Sequence, residues 1–123
     1  MNGKDSLDEI HSLVEKFAKE RDWDQFHTPK NLIMAATSEI GELAEVLQWK
    51  SDQEVITYLR SEEGKKRLSE EIADVMIYLI RLSQKSGIDL IDAVKQKLEI
   101  NELKYPINFA KGNATKYSDR KYD

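Results

Sequence analysis

The chain has 123 residues, of which 40% are apolar and 34% charged; this composition excludes a disordered polymer and fits one soluble domain or one subunit of a small helical assembly. It has no cysteine, which removes disulfides, thiolate metal sites and a cysteine nucleophile together. The net charge of −4 speaks against a nucleic-acid polymer as partner, and the longest apolar run, Val75 to Ile80, is too short to span a bilayer.

The N-terminal residues Met1 to Asp5 are not backed by an apolar segment, so no secretory signal is expected and the reading is cytoplasmic. Ser6 is expected to cap the first helix, with Glu9 reaching back in a capping box, and Ile10, Leu13, Val14 and Phe17 follow at helical spacing. Asp22 to His27, rich in aromatic and polar residues, reads as a loop. Thr28-Pro29 opens a second helix, threonine as N-cap and proline at the first helical position, which is expected to run to about Trp49. Ser51 to Gly64 reads as a linker, with room for one short helix around Glu54 to Leu59. A third helix is expected from about Lys65 to Ser86, stopped by Gly87. Asp89 caps a fourth, which ends before Pro106.

The expected fold is therefore an all-α, four-helix bundle over residues 1–106. Residues 107–123 lack periodicity and read as an extended or irregular tail. Residues 104–123 hold five Lys or Arg against two Asp, although the chain as a whole is acidic. Such a tail is either solvated charge or an arm that closes over an anionic substrate.

Most acidic residues on helices face water, but two pairs here do not fit that pattern. On a helical projection of the second helix, Leu32, Ala36, Ile40, Leu43, Val46 and Leu47 form an apolar arc; Glu39 falls inside it and Glu42 on its edge. On the third helix, Leu68, Ile72, Val75, Leu79 and Leu82 form a stripe within about 40° of a common line, with Glu71 and Asp74 on its flank. Met76, Ile77 and Ile80 lie on the opposite side, so this helix is expected to be largely buried. Unpaired carboxylates in such surroundings repel one another and cost several kcal/mol to keep ionised. A divalent cation, Mg²⁺ or Mn²⁺, bound by Glu39, Glu42, Glu71 and Asp74 resolves both difficulties. Buried salt bridges to Lys97 or Arg81 are the alternative.

The segments Glu39-Ile-Gly-Glu42 and Glu71-Ile-Ala-Asp74 resemble the paired acidic motifs of the MazG nucleotide pyrophosphohydrolase superfamily. The likeness extends to its dCTP pyrophosphatase branch through Arg21-Asp-Trp23-Asp-Gln-Phe26-His27, through Gln48-Trp49-Lys50-Ser-Asp52, through Glu70 to Tyr78, and through Lys111-Gly112 to Lys116-Tyr117-Ser-Asp119. It spans nearly the whole chain. The resemblance implies a bundle that assembles into a homo-oligomer, a tetramer made of two dimers, and a Mg²⁺-dependent enzyme, with Mn²⁺ as a substitute. The implied reaction converts a dNTP, dCTP first, into dNMP and pyrophosphate.

It also implies that the four acids are both metal ligands and the catalytic group, with Glu39 or Glu42 the candidate to take a proton from the attacking water. Trp23, Phe26, His27 and Trp49 are implied around the base, where a stacked ring contributes roughly 1–3 kcal/mol. Ordinary core packing is the other reading of Trp49. Tyr78, one turn beyond Asp74, is implied beside the deoxyribose, where it would crowd a 2′-hydroxyl. Lys97 and Asn101 share a stripe with Lys104 beside Ile91, Val94 and Leu98, and with Lys111, Lys116 and Tyr117 they are implied near the phosphates. The chain departs from vertebrate members of the branch at Val14, where those carry a histidine, so dATP or another dNTP stays open as substrate. Activity on dUTP or modified nucleotides, and a noncatalytic nucleotide-binding helical module, are the remaining alternatives.

Overall fold

In the computed structural model, residues 6–114 are described, and every regular element among them is an α-helix. The elements are α1 (Leu7–Glu20), α2 (Pro29–Leu47), α3 (Asp52–Arg60), α4 (Glu62–Lys85), α5 (Leu90–Lys104) and α6 (Ile107–Ala110). The chain divides into two compact units, Met1–Ile88 and Asp89–Asp123. In the first unit α1, α2 and α3 all pack against α4, and the α2–α4 contact is the most extensive.

Local chemistry explains most of the helix ends. Ser6 Oγ accepts the Glu9 N–H at 3.2 Å, and Thr28 Oγ1 accepts the Asn31 N–H at 3.2 Å with Pro29 behind it. Asp89 does the same for Asp92 at 3.0 Å. Beyond α4, Gly87 takes a φ of 67°, a left-handed conformation that glycine adopts without a Cβ penalty, and Ile88 N–H then closes back on Ser83 O at 2.9 Å.

Three features differ from the sequence reading. The short helix expected in the 51–64 linker is present as the nine-residue α3, but the tail, expected to be irregular, begins with the four-residue α6. Ser51 and Glu54 form a complete capping box at the start of α3, with reciprocal bonds of 3.1 and 3.2 Å. Helix α2 ends at Leu47 with Gln48 as its C-cap, so Trp49 lies in the turn between that cap and the Ser51 box and not on the helix. Last, α4 is not buried all round in a single chain. Ile80 is fully buried, but Ile72, Met76, Ile77 and Leu79 are 40–54% exposed, since three neighbouring helices cannot cover every side of α4.

Ser61 ends α3 and also caps α4, accepting the Gly64 N–H at 3.0 Å. The turn is so tight that a Cβ at Gly64 would stand 2.0 Å from Tyr58 O and 2.7 Å from its carbonyl carbon. Backbone cannot yield as a flexible side chain can. Gly64→Ala is expected to destabilise the fold by about 3 kcal/mol, measured as a lower urea midpoint at unchanged m-value. An unchanged midpoint would refute this account of the turn.

Candidate active site

The α2–α4 contact brings three of the expected acids together. Glu39, Glu42 and Glu71 each offer a carboxylate oxygen, and these oxygens all lie within 4.8 Å of one another. Glu71 is 8% exposed, and its Oε2 is buried without a hydrogen-bond donor. Its Oε1 stands 3.4 Å from Arg67 Nε, so one oxygen has a partial counter-charge and the other has none. Asp74, one turn further along α4 and exposed, falls outside this cluster of three atoms, but its charge reaches Glu39.

Without a counter-ion the cluster relieves its repulsion by holding a proton. The Glu39 carboxyl is pushed up to about 7, first by sharing a hydrogen bond with Glu71, then by burial and by the charges of Glu42, Glu71 and Asp74. A carboxylate with an orphaned buried oxygen, clustered with two further carboxylates, is the donor set a hard divalent cation takes. The residues fit such an ion. Arg81, offered above as a salt-bridge partner for the acids, is engaged elsewhere, as described next.

Glu71, Asp74, Tyr78 and Arg81 share an arc about 80° wide on α4, a polar stripe along a mostly apolar helix. The Tyr78 phenol is held above its ordinary value by burial first and then by the charges of Glu39, Asp74 and Glu42, so it borders the acids. Arg81 is 2% exposed, and its guanidinium reaches the 22–27 turn. It donates from Nε to His27 Nδ1 at 3.0 Å, from Nη2 to Asp24 Oδ1, and from Nη1 to Gln84 Oε1 at 2.8 Å.

Within the turn, Asp22 adopts a φ of 54° and accepts the Gln25 side-chain amide on both its backbone and its carboxylate oxygen. Trp23 is edge-on both to Phe17, with centroids 5.6 Å apart, and to His27 at 6.0 Å. Trp23 and Phe26 are exposed, and His27 is half-buried. Burial, followed by the Arg81 charge, holds the His27 ring below its ordinary pKa.

Trp49 is 88% exposed, which removes ordinary core packing as its role within one chain. Lys97 and Asn101 are on α5 and Lys111 ends α6, all in the second unit; Lys116 and Tyr117 lie outside the described residues. Sequence reasoning missed what Arg67 and Arg81 do. Arg67 had a local signal in its i, i+4 spacing to Glu71. Arg81 had none, because its partners are 54 and 57 residues away.

The MazG-like family model matches residues 34–119. The chain belongs to the MazG-like family. The matched span of this MazG-like chain includes all four acids, Trp49 and Tyr78. It is also similar to dCTP pyrophosphatase 1 of mouse, at 44% identity over 93% of this chain and 67% of that protein, and to dCTP pyrophosphatase 1 of human, at 43% over 93% and 67%. Among solved structures, a pyrophosphatase from Archaeoglobus fulgidus superposes with a TM-score of 0.74 at 42% identity, covering 81% of this MazG-like chain and 92% of that one. None of the helices among the described residues is long and apolar enough to cross a membrane.

Proposed function

We propose that this chain hydrolyses a deoxynucleoside triphosphate, dCTP in preference, to the monophosphate and pyrophosphate with Mg²⁺ held by Glu39, Glu42, Glu71 and Asp74. It is a nucleoside triphosphate pyrophosphohydrolase, as its likeness to the dCTP pyrophosphatases supports. The observation that carries the metal assignment is the clustering of the Glu39, Glu42 and Glu71 carboxylates, with the Oε2 of Glu71 buried and donorless. Bound there, Mg²⁺ supplies positive charge for the triphosphate oxygens and for the departing pyrophosphate.

The chain's own residues do the rest. Glu39 or Glu42, whichever stands outside tight coordination, accepts the proton of the attacking water. The Tyr78 ring crowds the 2′ position and selects deoxyribose. Trp23, Phe26 and the exposed Trp49 offer faces on which a base stacks, and His27 contributes a polar edge. Lys97, Asn101, Lys111, Lys116 and Tyr117 attend the phosphates, with residues 107–123 acting as an arm on the 1–106 helical domain. The apolar surface of α4, with Ile33, Met34 and Ile40 on α2, supports burial against further copies in a tetramer of two dimers. Sedimentation as monomer alone at micromolar concentration would refute that assembly.

The deciding experiment incubates the protein with each dNTP and NTP, with Mg²⁺ or with a chelator, and resolves the products by ion exchange. The expected result is dCMP and pyrophosphate from dCTP, slower turnover of other dNTPs, and none under chelation. Release of inorganic phosphate, or no turnover of any triphosphate, would overturn the assignment. Val14 is the reason to include dATP in the panel.

A further inference from the structure

We infer that Arg81 is a positioning residue for base recognition: its guanidinium clamps the 22–27 turn to α4 and holds His27 in the tautomer that carries its hydrogen on Nε2. The inference rests on the reading above that Trp23 and His27 receive the base. It adds a specific device, a fixed N–H donor beside an indole ring, whose natural counterpart is a carbonyl oxygen or ring nitrogen on the edge of a pyrimidine.

The geometry leaves few alternatives. A guanidinium only donates, and it stays charged at any pH the protein meets. Because Arg81 Nε donates to His27 Nδ1 at 3.0 Å, that nitrogen must be the acceptor, and the ring hydrogen is left to Nε2. The position of Arg81 is in turn over-determined. Nη2 binds the Asp24 carboxylate, and Nη1 binds Gln84 Oε1 at 2.8 Å. Gln84 has its own orientation fixed, since its Nε2 donates to His11 O on α1 at 2.9 Å. Three elements, namely α1, the turn and α4, therefore meet at one buried cation that is 2% exposed.

The turn is also braced from within. His27 N–H bonds Trp23 O at 3.1 Å and Asp24 O at 3.2 Å, so the rings of His27 and Trp23 move together with the backbone that Asp24 anchors. Arg81 lies seven residues beyond Asp74, two helical turns or about 10 Å along α4 and on nearly the same side. One rigid helix thus fixes the separation between the acids that take the phosphates and the turn that takes the base. A hydrophobic residue would fill the space Arg81 occupies, but it would set neither the tautomer nor the height of the turn. The depressed basicity of the half-buried His27 ring accords with a neutral imidazole.

The test uses full-length protein labelled with ¹⁵N, and steady-state kinetics with dCTP. In wild type without nucleotide, two-bond ¹⁵N–¹H correlation near pH 7 is expected to show His27 as the single Nε2–H tautomer. Arg81→Gln is expected to give a mixture of tautomers, to raise KM for dCTP about tenfold, and to leave kcat within about twofold. Arg81→Lys, which reaches one acceptor at a time, is expected to fall between the two. A merely structural role would lower thermal stability and active fraction without moving KM or the tautomer. Should Arg81→Gln fail to fold, Asp24→Asn, at a more exposed position, carries the same test with a smaller rise in KM.

A hydrogen on Nδ1 in wild type would overturn the inference. So would an active wild type whose Arg81→Gln variant, or Asp24→Asn in its place, keeps its KM; in that case the functional reading survives and this one alone falls. A wild type that hydrolyses no triphosphate would overturn the functional reading and, with it, this one.

Discussion

Glu71→Gln is expected to lower kcat/KM for dCTP by about a thousandfold, or about 4 kcal/mol of transition-state stabilisation, while leaving the fold intact. Glu71 is the most buried of the four acids and belongs to the three-oxygen cluster. Its Oε2 has no donor among the described residues. Without a cation its charge is offset there only by Arg67 and by the proton shared with Glu39, so a bound cation adds attraction that the apo cluster lacks. Glutamine keeps the shape and removes the charge. Its amide can donate toward the neighbouring carboxylates, so under chelation the variant is expected to melt no lower than wild type. The diagnostic result is the combination of lost turnover with retained or increased stability. Glu42→Ala and Asp74→Ala are expected to lose turnover in the same direction, with smaller consequences for folding because both residues are exposed. A Glu71→Gln protein turning over dCTP at the wild-type rate would remove the metal centre from the mechanism. Loss of both turnover and fold would instead assign Glu71 to structure through its ion pair with Arg67.

The sequence made the caps legible because a cap is decided within four residues. Ser6, Thr28-Pro29, Gly87 and Asp89 each mark a helix end by chemistry that needs no tertiary contact. The inward-facing acids were legible for a related reason, since helical periodicity alone puts Glu39 among apolar neighbours. Periodicity does not say how much partner surface exists. That is why α4, apolar on two sides, reads as buried and yet exposes Ile72, Met76, Ile77 and Leu79 in the single chain. The expected run to about Trp49 overshoots the end at Leu47 by two residues, because nothing between Leu47 and the Ser51 cap, neither glycine nor proline, marks the stop in the sequence.

The Arg81 clamp was illegible for a third reason. Nothing near position 81 distinguishes a buried cation from a solvated one until the turn 54 residues earlier folds onto it. What emerges is a single helix with a division of labour along one side. Glu71 and Asp74 hold the charge-bearing end, Tyr78 stands between, and Arg81 fixes the aromatic turn. The helix that carries this stripe is also the one against which α1, α2 and α3 pack, so the core and the candidate site share one element.

Mg²⁺ is expected to change the sign of the protein's response to pH. Under chelation the Glu39 carboxyl, raised from 4.5 to about 7, binds its proton more tightly in the folded chain than in the unfolded one. Its stabilising contribution is therefore complete below about 4.5 and is lost as pH rises through about 7. A divalent cation competes with that proton for the same oxygens, so its stabilisation must grow over the same window. Melting temperatures measured from pH 5 to 8, with chelator and with Mg²⁺, should diverge as pH rises. At about a hundred times its Kd the ion adds about 2.7 kcal/mol once the carboxyls are free. His27 and Asp24, both held below their ordinary values, contribute slopes of the opposite sign, in the region below the ordinary histidine value and in strong acid respectively. Glu39→Gln separates them, because it removes the Glu39 slope and shrinks the Mg²⁺ increment while leaving the clamp untouched. Parallel curves with and without Mg²⁺ across the whole range would show that the ion does not bind where Glu39 titrates, and the acid cluster would then need another occupant.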